Sequence, residues 1–530
     1  MEMREKIVLG TSIAPNNIEQ QLICIQSWID NGFCVVSCNT PEEIEILKPY
    51  CSDMAIRFAK VECRLDSLRT KKLPFIHDIL VNVFQATDRI GGFCNSDIYI
   101  DNMSKELYQF ICHETKSSFL FVRRNEIGNF DDIKKMNWKL HFDGIDMFLL
   151  DKRFHSDFFD EGFFVQSCWD SCILLKAKMK GIPIKELMNP IAFHKRHSQK
   201  WDAKTSRILA ERFWNKYFHT AESAFGKAMY LYYNILLHDC KQICFLDDKK
   251  VTCLFVVQRE ALSAKESIEN QEGSDLTIVM QETDDRKEEF DYIFYILRDV
   301  GLSPVFCKSI IFMMSCCTCS QLEVGEFYVT KEKEERRYSS VNRSIELLEY
   351  IQKRCRSSIF VKRSKGDGIY AKTVRPVVHK EIDIRDKDIV VKLNIQGSYY
   401  ITPAGIRANQ WYEENRFKLA GTKFLGFLDK NKRGKGEFGN IMPIETLNRD
   451  QEAYVIVASK YYVIEIMEQI GKLTKSDRII NAGCICHIDE DGVIYYFDLK
   501  RYEDILRSGR QGIEGMDGER KSCGCSTLLS

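Results

Sequence analysis

Asn95-Ser96-Asp97 breaks an apolar run, "GGFCNSDIYI", that otherwise reads as a buried strand. Asn and Asp side chains compete with a sheet ladder for backbone hydrogen bonds, so neither suits a strand interior. A carboxylate presented just past the end of a strand has another use: it can face a ligand. Three more features in the first 202 residues carry groups of the same kind. "FDGIDMF" places Asp143 and Asp146 around Gly144, "CWDSC" places Asp170 at the opening of a helical stretch, and "AFHKRHSQKW" supplies His194 and His197. Carboxylates and imidazoles bind divalent cations and act as general bases. Each residue also has a plainer reading. Asp170 suits the positive end of a helix dipole, Asp143 a turn before Gly144, His194 a packed core and His197 the surface.

The elements that must position these groups alternate in type. "KIVLGTSI" reads as a buried strand. "PNNIEQQLICIQSWIDNG" reads as a helix with Ile18, Leu22, Ile25 and Ile29 on one face and Asn31-Gly32 as its stop. "FCVVSCN" is a second strand, and "TPEEIEIL" a helix capped by Thr40 with Pro41 in its first turn. "MAIRFAKV" predicts a third strand and "PFIHDILVNVFQAT" a helix, ahead of the Asn-Ser-Asp stretch. The order is βαβαβαβ, which implies a mostly parallel sheet flanked by helices. Ligands bind such sheets beyond the carboxyl ends of the strands, where Asn95 to Asp97 would fall. "SKELYQFICHE" (helix), "SFLFVRR" and "GIDMFLLDK" (strands), "CWDSCILLKAKMKG" (helix) and "IPIKELM" (strand) continue the pattern.

Taken together, and in this order, these features resemble a nucleotide-sugar glycosyltransferase of the GT-A fold. They are similar to bacterial family-2-like enzymes of surface polysaccharide synthesis. The resemblance covers roughly residues 5–202 and includes the opening "VLGTSIAPNNIEQQLICIQSW" followed by "NGFCVVSCN". In that family an acidic Asp-x-Asp motif ends the nucleotide-binding half. Here Asn95 stands at its first position and Asp97 at its last. The resemblance implies that Asp97 holds a divalent cation, Mn²⁺ or Mg²⁺, with His194 as a later metal or diphosphate ligand. It implies Asn95 as a neutral ligand or a ribose or phosphate partner, Asp146 as a contact to sugar or acceptor, and Asp170 as the general base. Such roles suit the chemistry. A departing nucleoside diphosphate gathers negative charge that a cation offsets, and an attacking hydroxyl must lose its proton. A basic loop, Arg64, Arg69, Lys71 and Lys72, would meet phosphate or simply be solvated.

With 530 residues the chain holds roughly two to four domains at ~150 residues each. The division expected is a GT-A-like domain over 1–205, a helical connector over 206–245, an unassigned region over 246–387, and a Rossmann-like accessory domain over 388–530. In the unassigned region "LTIVMQE", "EFDYIFYILRDVG" and "SPVFCKS" suggest a βαβ piece. In the last domain "ITPAGIRANQW" sits where a phosphate turn G-x-G-x-x-G would be, but its three positions read Pro403, Gly405 and Ala408. Asp429 falls about where a ribose-binding acid would. With the phosphate cradle missing, a structural or partner-docking domain is expected.

A net charge of zero argues against a polybasic nucleic-acid binder. The 21 cysteines are scattered, which suits a reducing compartment. Cys316-Cys317-Thr318-Cys319 and Cys523-Gly524-Cys525 lack a second pair at zinc-finger spacing. The charged start of the sequence leads to the expectation of no secretory signal, and no apolar run nears the ~18 to 20 residues of a membrane span. A cytoplasmic glycosyltransferase is therefore expected, moving a sugar from a nucleotide-sugar donor to a glycan or lipid-linked acceptor. The alternatives are a non-catalytic GT-A-like nucleotide-binding or scaffold protein, and a sugar-phosphate nucleotidyltransferase. The last needs a Gly-rich N-terminal loop, and "LGTSIAPNN" offers only Gly10.

Overall fold

The computed structural model describes residues 6–61, 74–154, 169–197, 240–247, 250–273, 276–282, 289–296, 302–316, 319–326, 356–363, 369–374, 390–459, 463–498 and 501–502, with a few isolated residues between 211 and 236. The basic loop 64–72, most of the stretch 206–240, and Cys317 and Cys523 to Cys525 lie outside the described residues. The described chain divides into two units. One holds most of residues 1–380 and the other most of 381–530.

In the first unit the chain alternates as its sequence predicts. The strands β1 (Val8–Thr11), β2 (Cys34–Asn39) and β3 (Ile56–Lys60) are joined by the helices α1 (Ile18–Asp30) and α2 (Pro41–Leu47). The helix α3 (Ile76–Ala86) leads into β4 (Ile90–Cys94). β1 lies between β2 and β4, parallel to both, and all four of its residues are buried. A strand covered on both faces reads as a largely apolar run, as "VLGT" does up to its final threonine. α2 begins with a reciprocal cap. The Thr40 hydroxyl accepts from the Glu43 N–H, and the Glu43 carboxylate accepts from the Thr40 N–H.

After β4 come β5 (Ile98–Ile100), α4 (Lys105–Thr115), β6 (Phe119–Ile127), β7 (Trp138–Asp151), α5 (Trp169–Met179), β8 (Ile184–Leu187), β9 (Ala192–Lys195) and β10 (Lys241–Ile243). The main path of the sheet runs β10-β8-β6-β7-β4-β1-β2-β3, with β9 paired to both β5 and β6. The fold is thus α/β, a large and mostly parallel sheet with helices on its faces. Its core gathers Ile25 and Trp28 of α1, Leu9, Val35, Leu120 and Leu149 of the strands, and Leu107 and Ile111 of α4.

The middle of the chain builds a second sheet within the same unit. Its strands are β11 (Val251–Val257), β12 (Leu276–Gln281), β13 (Tyr292–Ile296), β14 (Cys319–Glu326), β15 (Arg356–Arg363) and β16 (Ile369–Val374), in the order β12-β11-β13-β15-β14-β16. The helices α6 (Leu262–Glu269) and α7 (Phe306–Cys316) accompany it. The expected βαβ order is not found here. "YIFYI" is a strand, being short, aromatic and β-branched, and "FCKSIIFMMSC" is a helix, being too long an apolar run for a strand. Phe255, Phe294, Phe306 and Ile310 join Ile127, Trp138 and Phe193 of the first sheet in one apolar cluster.

The second unit carries a parallel set ordered β21-β19-β18-β22-β23, formed by β18 (Ser398–Thr402), β19 (Lys423–Asp429), β21 (Asn440–Pro443), β22 (Tyr454–Val457) and β23 (Ile479–Asn481). Its core is Tyr399, Ile401, Ala408, Phe427 and Ile456. Three further strands, β17 (Val390–Asn394), β24 (Ile485–Ile488) and β25 (Val493–Phe497), make a small antiparallel sheet, and β20 (Gly434–Lys435) pairs with β21. Among the described residues no helix is long and apolar enough to cross a membrane.

Gly92 shows how closely β4 and β7 meet. A Cβ there would run into the backbone carbonyl of Phe148, which cannot swing aside as a side chain does. Gly92→Ala should therefore destabilise the first unit by about 1 to 3 kcal/mol. Urea unfolding followed by tryptophan fluorescence measures this, and a midpoint equal to that of the unsubstituted protein would contradict it.

Candidate functional site

The strand that runs through "GGFCNSDIYI" stops at Cys94 and restarts at Ile98. Asn95 to Asp97 form the turn between, closed by Ile98 N–H donating to the Asn95 carbonyl at 3.1 Å. β5 then pairs antiparallel with β9, setting Ile98 opposite His194. β9 also pairs in parallel with β6, setting Glu126 opposite the same His194. Residues paired across a ladder share a face, so this register brings Glu126 and His194 together, and the turn before β5 sets the Asp97 carboxylate beside them.

The side chains converge. His194 Nε2 lies 3.4 Å from Asp97 Oδ2 and 3.2 Å from His197 Nε2. His197 Nε2 lies 3.3 Å from Asp97 Oδ2. The three ligand atoms thus form a nearly equilateral triangle. Donors that share one ion at ~2.0 to 2.2 Å stand about that far apart, so the set fits a divalent cation. Two nitrogens and one carboxylate oxygen favour a first-row transition ion over Mg²⁺, which prefers oxygen donors. His194 is 11% exposed, while Asp97 and His197 are 33% and 37% exposed, so the triangle opens to solvent on the side of the last two.

A polar ladder supports the triangle from behind. The Nδ1 side of His194 meets both Glu126 oxygens, at 3.2 and 3.3 Å. Arg124 Nε donates to Glu126 Oε1 at 2.8 Å, and its Nη1 donates to Asp146 Oδ2 at 2.8 Å. Asp146 Oδ1 accepts from the Asn95 amide, and the Asp146 carbonyl accepts from Asn95 N–H at 2.9 Å. Asn95 and Asp146 therefore face each other. On the other side of the turn, Ser96 donates to Gln21 Oε1 at 2.7 Å. Gln21 also holds the β1–α1 loop, accepting from Ala14 N–H and donating to the carbonyls of Ala14 and Asn16. Ser37 and Asn39 at the end of β2 clasp the backbone of Ile13 from both sides. The loop at the carboxyl end of β1 is thus fixed relative to the Asn95–Asp97 turn.

Asp170 lies in the first turn of α5, where its Oδ1 accepts from Ser171 N–H at 2.8 Å. The preceding Trp169 packs edge-on against Phe93, two residues before Asn95, with ring centroids 4.9 Å apart. The start of α5 is therefore a neighbour of the end of β4.

Charges in the cluster stabilise one another. Burial disfavours the ionised form of Asp97, but hydrogen bonds from His194 and His197 outweigh it and hold the carboxyl well below its usual range. Burial likewise opposes a charge on His194, yet the bonds to Asp97 and Glu126 raise its pKa from 6.5 to about 9. Burial pushes the thiols of Cys24 and Cys94, beneath the turn, well above their ordinary range, so neither offers a thiolate near neutral pH.

Sequence reasoning missed Arg124, Glu126 and Gln21; His197, a candidate whose plainer reading was the surface, is part exposed and yet joins the cluster. A signal was present: "RRNE" interrupts the apolar run of β6 as "NSD" interrupts that of β4. In the second unit Asp429 ends β19, and its Oδ1 accepts from the N–H groups of Asn431 and Lys432, so the carboxylate closes its own turn.

No known protein-family pattern matches the chain, and no curated protein does. Among solved structures it is similar to S. aureus TarS at 12% identity, over 43% of this chain and 43% of that one, with a TM-score of 0.27. It is also similar to S. aureus TarS 1–349 in complex with UDP, at 14% identity, over 44% of this chain and 71% of that one, with a TM-score of 0.26. The chain spans less than half the length of the first of these. The chemistry of the site rests on its own geometry.

In chelator-treated protein the cluster should make stability depend on pH. The raised pKa of His194 means a contribution fully present below about 6.5 and lost as pH rises through about 9. The depressed pKa of Asp97 means a contribution present above its ordinary range and lost as the medium becomes more acidic. The expected loss for His194 between these limits is on the order of 2 to 3 kcal/mol. Melting curves of the unsubstituted protein and His194→Asn should converge toward pH 9, and a gap independent of pH would contradict the assignment.

Proposed function

We propose that this chain is a glycosyltransferase that moves a sugar from a nucleoside-diphosphate donor to a hydroxyl of a glycan or lipid-linked acceptor. The observation that carries the reading is the Asp97–His194–His197 triangle, set at the carboxyl end of β4 beside the fixed β1–α1 loop. In an α/β sheet that is where a nucleotide is received. Asp97, His194 and His197 would hold the cation. When bound, it would supply positive charge to the diphosphate that leaves.

The protein's own residues have separate tasks in this reading. Ser96 and Gln21 keep the donor loop against the acidic turn. Asn95, neutral where a second carboxylate would repel a phosphate, holds Asp146 in place. Asp170, at the start of a helix beside β4, would take the proton of the attacking hydroxyl. The bond from the anomeric carbon to the diphosphate oxygen breaks and the bond from that carbon to the acceptor oxygen forms. The proton passes to the Asp170 carboxylate and the electron pair leaves with the diphosphate. The second unit, whose parallel sheet has no glycine cradle at Pro403 and an Asp429 engaged in its own turn, would serve as a structural or docking domain.

A thermal-shift panel of nucleoside diphosphates with and without Mn²⁺ tests the donor site. One diphosphate should raise the melting temperature with Mn²⁺, by an amount set by its concentration relative to its dissociation constant. Asp97→Asn should abolish that shift and donor turnover. Asp170→Asn should keep the shift and lose about 10²- to 10⁴-fold in transfer rate. No shift with any diphosphate would overturn the reading.

A further inference from the structure

We propose that Glu126 and Arg124 are the positioning residues of the cation site, acting together to fix which nitrogen of His194 faces Asp97 and His197. The proposal rests on the reading of those three residues as a cation site and names what orients it.

Glu126 approaches the ring on its Nδ1 edge, with both oxygens within 3.3 Å, while Asp97 and His197 approach Nε2. The two nitrogens of an imidazole point away from each other, so Glu126 stands outside any ion held at Nε2. Its part is to accept a hydrogen bond from Nδ1–H. With that proton engaged, the neutral ring is left with its lone pair on Nε2. The alignment comes from the backbone, since Glu126 is the register partner of His194 on the adjacent strand.

A carboxylate that is 14% exposed needs a partner of its own, and Arg124 provides it. One edge of the guanidinium meets Glu126 and another meets Asp146, each at 2.8 Å. Asp146 is 7% exposed, so two poorly hydrated carboxylates share one cation that separates and aims them. The planar fork suits this, because its N–H directions are fixed, whereas an ammonium is a point charge. The pairing of β6 with β7 shifts register on both sides of Arg123, and the second shift spans Arg124. Such irregularities re-aim side chains, here toward Asp146 of the neighbouring strand.

Co²⁺ titration of the chelator-stripped full chain, followed by calorimetry and by visible absorption, tests the proposal. Asp97→Asn should abolish binding. Glu126→Ala should weaken Co²⁺ binding by about 10- to 100-fold and shift the absorption bands, as a ligand that is no longer held would do. Glu126→Gln, which keeps an acceptor, should recover part of both. Arg124→Lys should weaken binding in the same direction. A merely structural role would lower stability but leave the affinity and spectrum of the folded protein unchanged. If Glu126→Ala fails to fold, the isosteric Glu126→Gln decides by the same two readouts. Loss of binding in Asp97→Asn with unchanged binding and bands in both Glu126 variants would overturn the positioning role and leave the cation site standing. Absence of Co²⁺ binding by the unsubstituted protein would overturn both.

Discussion

The imidazole of His194 lies between two carboxylates, one delivered by the turn before β5 and the other by β6. β9 can present it so only by pairing antiparallel with β5 and parallel with β6 at once. That demand explains much of the surrounding structure. The chain must turn at Asn95 to Asp97 so that β5 can leave the main sheet. β6 must run to Ile127, beyond the end of its pairing with β8, to reach β9. The apolar cluster of Ile127, Trp138 and Phe193 with the second sheet then covers this extension. The middle of the chain, silent about chemistry in its sequence, thereby supports the strand that carries Glu126.

The charge balance of the ladder has a direction. Three carboxylates, Asp97, Glu126 and Asp146, face one guanidinium and one imidazolium. Arg124 sits at the buried end, between Glu126 and Asp146, and the more exposed Asp97 lies at the open end. Among these groups the negative charges outnumber the positive by one, which favours a cation over an anion at the site. The buried thiols beneath remain neutral and add no competing charge.

The first βαβαβαβ stretch was legible because each strand is short and bounded by Gly, Asn or a capped helix, and because periodicity separates α1 and α3 from their neighbours. The Asn95–Asp97 turn was legible as a conflict between side-chain chemistry and an apolar run. His197 was not, because a histidine among charged residues looks the same in sequence whether or not its ring turns inward. Arg124 and Glu126 were hidden by their setting, since a charged strand end usually means solvent. Only the pairing of β6 with β9, contacts separated by 68 residues, shows their use. The face of α1 drawn along Ile18, Leu22, Ile25 and Ile29 does pack against the core, but the deepest burial falls beside it, at Gln21, Cys24, Ser27 and Trp28 as well as Ile25. A buried glutamine is not visible to a hydrophobic pattern. The strand β13 and helix α7 were assigned in the wrong order because short apolar runs do not reveal their period.

β6 carries two arginines in succession with opposite allegiances. Arg124 belongs to the site, while Arg123 is buried against Glu186, with one guanidinium nitrogen 2.6 Å from a carboxylate oxygen that Gln242 also approaches. Each has its partner only when β6 is threaded in one alignment. Displacing the strand by a single residue would set one arginine in the other's place and leave the second without its carboxylate. The two arginines thus bias strand pairing toward the one alignment in which both carboxylate partners are met, before any ligand is present.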